Sequence, residues 1–443
     1  MRDFIVLAII LGATPFCFIR PYFGVLMWTL VAYLNPHRLT WGVAYNFPVA
    51  LVIGSATLAG LPFARNVNRR IFNLQTVLLI VMFGWFCITF LHASQDQVLV
   101  EHLDDSRAEL ERIAKILLMT FVTILLVSSK ERLRNLFLVT TFSFGFFAVK
   151  GSLFVWRTSG EFRVYGPPDS FISDNNAFGL ALNMALPMFY YLAKNESNRW
   201  IKRFLYLSFF CGIVAVLLTY SRGALLGLLV VLGAIALKSR AKIIATFLMV
   251  ACAFTVLTFA PSQWMQRMGD FAHGNIDNSA EQRLNSWQFA WELAKEYPIT
   301  GGGLRTFTPT LFERYTPQFV FNGPHSIYFQ TLGEHGFVGL ALFLLLLGTT
   351  LHSVRAVRKR AAQFTPAAWI TPYSHMAEVS LLAFMISGAF LELAYFDLFY
   401  QLIATVALLK ILLRREIVLH VQEQAKIARQ PVVSGLVEEG AGL

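Results

Sequence analysis

Charge is what this sequence has least of. Only 14% of its 443 residues are Asp, Glu, Lys or Arg, against 56% hydrophobic, whereas a soluble domain is about a quarter charged. Apolar runs such as Leu74 to Leu91, Phe204 to Tyr220 and Gly336 to Gly348 contain no charge at all. They are apolar all round, which excludes the two-faced helices of a large soluble core. Cysteine is scarce too. Cys17, Cys87, Cys211 and Cys252 each lie inside an apolar run, which excludes a disulfide framework and leaves them as small buried hydrophobes. No phosphate loop, Gly-x-Ser-x-Gly elbow or His-Glu-x-x-His pair is present, so the familiar soluble-enzyme chemistries are excluded. The first apolar run lacks a small-residue cleavage site and reads as a retained membrane segment.

What the chain does have is a succession of segments near the roughly 20 residues that cross a hydrocarbon core. Candidate spans fall near residues 3–18, 22–35, 47–63, 74–92, 113–129, 133–150, 177–193, 204–220, 223–237, 241–260, 327–351, 376–393 and 398–413. The net charge of +11 does not form a nucleic-acid patch, because Lys and Arg gather in short clusters at every second connection. Those clusters, Asn66 to Arg70, Lys130 to Arg134, Lys194 to Arg203, Lys238 to Lys242 and Arg355 to Arg360, mark the cytoplasmic side. The first two candidates are short and joined only by Ile19-Arg20-Pro21, so the expected count is about twelve spans with both ends cytoplasmic. The expected fold is therefore an all-α polytopic membrane protein. Its expected divisions are spans over 1–260, a loop over 261–326, C-terminal spans over 327–413 and a partly disordered tail over 414–443.

The loop of roughly 65 residues exceeds what a connector needs, and its aromatics, among them Trp264, Trp287, Trp291 and Phe312, argue that it folds. Ser279 with Gln282 fits a capping box, and Leu284, Trp287 and Trp291 follow at helical spacing until Pro298 and Gly301-Gly302-Gly303 stop the helix. A second short helix is expected from Pro309 to Tyr315. Amphipathic helices of this kind lie at the outer interface.

The candidate chemistry is a set of outward-facing arginines with one histidine. Arg222, in the tight corner Tyr220-Ser221-Arg222-Gly223, is placed at the outer membrane boundary, where a fixed cation suggests an anionic partner, although arginines at helix ends also snorkel without further role. Arg163 resembles it, while Asp174-Asn175-Asn176 reads as a helix cap. Arg283, one turn before Trp287, shares the loop with Arg267, Arg305 and Arg314. Several guanidinium forks suit a diphosphate, against the plainer reading of solvated charges for Arg267 and Arg314. His325 follows Gly323-Pro324 at the point of re-entry into the membrane, with Glu334 below it, and an imidazole can take a proton from an attacking sugar hydroxyl. A metal site from His325, Glu334 and His335 is the rival, weakened because Glu334 and His335 point to different sides of a helix.

Ser221-Arg222-Gly223, Arg283-x-x-x-Trp287 with Tyr297-Pro298 and Gly301 to Phe307, and His325-Ser326 with Glu334-x-Gly336-x-x-Gly339 together resemble the O-antigen ligases of the O-antigen polymerase and ligase superfamily. Asn35 to Gly42 and Gly166-Pro167-Pro168 resemble a subgroup of O-glycosylation ligases. The resemblance implies a GT-C-like, inverting, metal-independent glycosyltransferase without cofactor in the bacterial inner membrane, its active site facing the periplasm. It would move O-antigen from undecaprenyl diphosphate to lipid A-core. It also implies that Arg222 and Arg283 hold the diphosphate, that His325 activates the acceptor hydroxyl or positions the donor, and that Arg163, Arg305, Trp287 and Glu334 bind substrate. An O-antigen polymerase or protein O-glycosylation ligase differs only in acceptor. A lipid-linked glycan flippase is the alternative of another class, and the midplane charges and internal repeats usual in transporters are not evident.

Overall fold

The computed structural model of the protein describes residues 2–238 and 278–429. Helices run through α1 (Arg2–Ile19), α2 (Pro21–Leu34), α3 (Val49–Gly60), α4 (Leu74–Gln95), α5 (Leu103–Leu126), α6 (Lys130–Arg157), α7 (Asn175–Asn195), α8 (Arg199–Leu217) and α9 (Arg222–Lys238). They continue with α10 (Asn278–Glu296), α11 (Pro309–Tyr315), α12 (Ile327–Ala362), α13 (Ile370–Gly388) and α14 (Asp397–Arg429). No strand occurs among the described residues. Five of these helices, α1, α4, α6, α8 and α12, are long and apolar enough to cross a membrane. The expected span at 241–260, Cys252 and the loop residues Trp264 and Arg267 lie outside the described residues.

Helix starts follow local chemistry. Asn73 and Thr76 form a capping box on α4, and Asp174 Oδ1 accepts from the N–H groups of Asn176 and Ala177 to open α7. The centre of the bundle is α7, every residue of which from Ala177 to Phe189 is buried, packed against α8, α9 and α13. Small residues allow this approach. A Cβ on Gly179 would meet Ala224 at 2.5 Å, and one on Gly227 would meet the Ser387 hydroxyl at 1.9 Å. Across the same seam the Asn183 side-chain amide donates to the Ala224 carbonyl at 2.7 Å and the Ser387 hydroxyl at 3.3 Å. The outer helices instead leave apolar side chains exposed, as at Phe4, Ile80 and Phe210. Lipid is the solvent these surfaces suit.

The basic clusters gather at one end of the bundle. Arg132 donates to the carbonyls of Asn66 and Leu126, Arg134 pairs with Glu196, Arg415 donates to the Ser128 carbonyl, and Lys238, Arg355 and Arg358 converge on Glu378. The connections 35–46, 96–102, 158–174, 218–221, 297–326 and 388–396 lie at the opposite end.

The N-terminus departs from expectation. Asp3 accepts from the N–H groups of Gly42 and Ala44, and Arg2 lies over the Trp41 ring, so α1 begins at the end opposite the basic clusters. Its other end lies at the basic side, where Gly60 closes on the Phe18 carbonyl. Thus α1 and α2 are two antiparallel helices, and the chain's helical ends lie on opposite sides rather than both at the basic end. Two boundaries also shift. The segment 103–112, expected as loop, is the first part of α5, braced by the ion pairs Arg107–Glu111 and Glu111–Lys115. At the other end α14 runs unbroken past 414 to Arg429.

In the loop, α10 ends before Pro298 and α11 spans Pro309 to Tyr315 as expected. The Ser279 side chain lies outside the described residues. The face α10 buries is Phe289, Ala290, Leu293 and Ala294, packed on Leu99, Leu311 and Phe312. Leu284 and Trp291 instead stay half exposed, at 52% and 48%. The helical period was right.

Candidate functional site

Three of the chemically nominated segments share a backbone signature. Tyr220, Arg305 and His325 hold φ of +54°, +60° and +44°. Non-glycine residues rarely adopt this left-handed region, and bulky ones keep it only where surrounding structure imposes it.

For Arg305 the imposing structure is a break in α12. Gly336 departs from helical geometry, with φ +65° and ψ −168°. The glycine turn after α10 docks into this break: Gly302 N–H donates to the Gly333 carbonyl at 2.8 Å, Gly303 N–H to the Glu334 carbonyl at 2.9 Å, and Phe337 N–H to the Pro298 carbonyl at 2.9 Å. A Cβ on Gly301 would meet Gly336 N at 2.5 Å, and one on Gly336 the Ile299 carbonyl at 2.6 Å. Gly301–Gly303 and Gly333–Gly336 are therefore two halves of one joint. Its product is the placement of Arg305, whose backbone N–H donates to Glu334 Oε1 at 3.0 Å.

Glu334 is 2% exposed, and its Oε2 accepts from the Tyr395 hydroxyl at 2.5 Å. Tyr395 Oη lies 2.8 Å from His335 Nε2, and His335 Nδ1 lies 2.8 Å from the Thr89 hydroxyl. Every group in this chain is satisfied in either of two directions. With Glu334 ionised, Tyr395 donates to it, His335 Nε2–H donates to Tyr395, and Thr89 donates to Nδ1. With Glu334 protonated, each bond reverses, and Thr89 donates to the Phe86 carbonyl at 3.0 Å. Both ring nitrogens of His335 are thereby engaged, which removes it from the metal site weighed with His325 and Glu334.

Glu334 and Arg305 line a cavity of about 780 Å³ between the loop and the bundle. Its wall carries five carboxyl groups, Asp105, Glu109, Asp174, Glu334 and Glu392, against two guanidinium groups, Arg112 and Arg305. Arg112 is committed to Glu109 and to the Phe171 ring. Desolvation raises the pKa of Glu392; Arg305 opposes this and Asp174 adds to it. The Glu392 carboxyl lies against Gly323, where an added Cβ would displace it.

Gly323 and Pro324 carry the wall to His325, which is half-buried. Burial lowers the His325 pKa below 6.5; the neighbouring Arg283 guanidinium pushes the same way and Asp174 pushes against it. The imidazole is thus held neutral at physiological pH beside a cation. The segments that carry Arg163 and Arg222 meet at a second corner. Val164 N–H donates to the Leu218 carbonyl at 3.0 Å, Arg163 lies close enough to act on the Tyr220 phenol, and Ser221 Oγ caps α9 by accepting from Ala224 N–H. Gly223 next to Arg222 packs on Phe390, two residues before Glu392 in the cavity wall. Trp287 does not line the cavity. It stacks on Phe329, ring centroids 4.9 Å apart and planes 6° from parallel, and braces α10 against α12.

Asp105, Glu109, Arg112, Glu392 and Tyr395 were not anticipated. For the first three a signal existed: positions 105, 109 and 112 share one face of a helix. For Glu392 and Tyr395 the end of an apolar run masked residues that belong to a polar connection.

Residues 207–344 match the family model described as O-Antigen ligase. They form an O-antigen ligase domain. The domain begins in α8 and ends in α12, so it carries Arg222, Arg283, Arg305, His325 and Glu334, and it brings a ligase- or polymerase-type function on O-antigen. Residues 1–196 match a family of unknown function (DUF5935), and this second region supplies Arg163, Asp174 and the Asp105–Arg112 face of the cavity. No curated protein matches the chain.

Proposed function

We propose that the protein is a bacterial inner-membrane glycosyltransferase that transfers O-antigen from undecaprenyl diphosphate to lipid A-core, with its cavity on the periplasmic face. The observation that carries this is the pairing of His325, kept neutral, with Arg283 at the edge of a carboxyl-lined cavity inside the O-antigen ligase domain. Sidedness follows from the basic end, which retention of Lys and Arg assigns to the cytoplasm.

In this reading the acceptor hydroxyl attacks the anomeric carbon of the donor sugar. The new C–O bond forms as the bond to the diphosphate breaks, and the hydroxyl proton passes to His325. Attack from the face opposite the leaving group inverts the anomeric centre. Arg283 and Arg222 offset the charge that develops on the leaving diphosphate, the work a metal would otherwise do. Carboxyl groups repel phosphate but accept paired hydrogen bonds from sugar hydroxyls, and Phe171, Phe307 and Phe321 offer faces for sugar rings. The cavity therefore suits glycan, with the diphosphate on the arginine side. A lipopolysaccharide gel from a deletion strain tests the assignment. A lost ladder with accumulated lipid-linked glycan supports it, a single-repeat band indicates a polymerase, and an unchanged ladder refutes both. Product formed by purified protein in detergent separates an enzyme from a flippase.

A further inference from the structure

At the basic end, far from the cavity just described, a second cavity of about 160 Å³ opens between the start of α6, the end of α7 and the start of α13. Lys130, Arg134, Tyr191, Asn195, Trp369 and Tyr373 form its polar and aromatic lining, with Leu192, Pro372 and Met376 beside them. Its chemistry is not consumed by the fold. Tyr191 is 7% exposed, and its buried hydroxyl has no hydrogen-bond partner. A buried hydroxyl left this way is unfavourable and calls for a ligand or water to satisfy it. Lys130 makes no ion pair among the described residues; its ammonium lies 5.7 Å from the Trp369 ring centroid. The one carboxylate in the wall, Glu196, is already held by Arg134 through Nε at 3.0 Å and Nη2 at 2.7 Å, and by the Asn198 N–H at 2.9 Å. A cation without an ion pair, a buried hydroxyl and an apolar flank therefore line one cavity where the bundle leaves its apolar belt, among Trp and Tyr rings of the kind that settle at headgroup depth.

We propose that this cavity binds the phosphate of an anionic glycerophospholipid, with Lys130 and the Tyr191 hydroxyl on the phosphate oxygens and the glycerol and first acyl carbons along Leu192, Pro372 and Met376. Anionic lipid is the ligand of choice because the flank is apolar and the site lies at a basic end, where such headgroups concentrate. The site is independent of glycosyl transfer at the opposite end.

The test uses the full chain in nanodiscs of pure phosphatidylcholine or of phosphatidylcholine with phosphatidylglycerol, and reads the thermal unfolding midpoint. Wild type gains several degrees from phosphatidylglycerol. Tyr191→Phe removes only a hydroxyl that bonds to nothing in the protein, so in phosphatidylcholine it melts no lower than wild type, yet it loses most of the gain; Lys130→Gln does the same. A Tyr191→Phe protein that melts lower in phosphatidylcholine would mean that the hydroxyl serves the fold, and equal gains in wild type and both variants would mean that the lipid acts elsewhere. Either result overturns the proposal. So does an equal gain from millimolar inorganic phosphate in phosphatidylcholine, because the lipid would then be unnecessary.

Discussion

Replacing Glu334 with Ala probes the joint on which the cavity depends. The carboxylate accepts from the Arg305 N–H at 3.0 Å and from the Tyr395 hydroxyl at 2.5 Å. Alanine removes both acceptors and leaves Tyr395, 3% exposed, with a donor it can give only to His335. Two lost bonds to a buried carboxylate, at about 1–3 kcal/mol each, place the destabilisation at about 2–5 kcal/mol once partial hydration of the Arg305 N–H from the cavity is allowed. Glu334→Gln behaves differently. Its carbonyl oxygen still accepts from Arg305, and its amide donates to Tyr395, which then donates to His335 Nε2, with His335 Nδ1–H passing to Thr89. That is the reversed register of the chain, fully satisfied, so the cost stays within about 1 kcal/mol. Thermal unfolding of the detergent-purified variants, followed by monodispersity on size exclusion, measures the difference. Equal stability of the two variants, in either direction, would refute the two-register account.

Three further outcomes follow from the site. Gly336→Ala forces a Cβ onto the Ile299 carbonyl at a positive φ, and it is expected to cost more than about 2 kcal/mol and to disorder the 298–305 turn; hydrogen exchange of that turn reads this directly. Arg283→Lys keeps charge but loses the planar fork, so transfer is expected to fall at least about tenfold with binding of a diphosphate-free acceptor unchanged; an unchanged rate would remove Arg283 from the leaving-group role. The depressed His325 pKa predicts an acid limb in the rate profile with its midpoint below 6.5. The sign for stability agrees, because between the folded pKa and 6.5 the unfolded chain binds the extra proton, so this contribution is present above 6.5 and is lost as pH falls through that window. A limb above 6.5, or its persistence in His325→Gln, would contradict the assignment.

How much of this was legible in the sequence depended on which force wrote each feature. Hydropathy placed the helices because lipid burial acts on each segment alone, and the basic clusters at 66–70, 130–134 and 355–360 did gather at one end. Segment hydropathy failed where polar residues are helical, at Asp104 to Arg112, since i,i+4 ion pairs and the burial of the polar side chains Ser106 and Glu109, not an apolar face, support that stretch. It also missed the direction of α1, which rests on one carboxylate, Asp3, reaching the backbone of Gly42 and Ala44. The glycines of 301–303 and of 333–336 were visible as motifs. Their mutual docking was not, because it needs two segments thirty residues apart to meet at a break in a helix. Tyr395 and Glu392 were invisible for the same reason: they act on the site through contacts with Glu334, Gly323 and Asp174 that no local pattern encodes.

The central claim is that His325 takes the acceptor proton in glycosyl transfer at this cavity, and one measurement addresses it most directly. Purified wild-type and His325→Ala proteins are given an undecaprenyl-diphosphate-linked glycan and lipid A-core in detergent, and product is resolved by gel. The expected result is product from wild type and none from His325→Ala, the variant remaining monodisperse with an unchanged unfolding midpoint. Full activity in His325→Ala would contradict the claim.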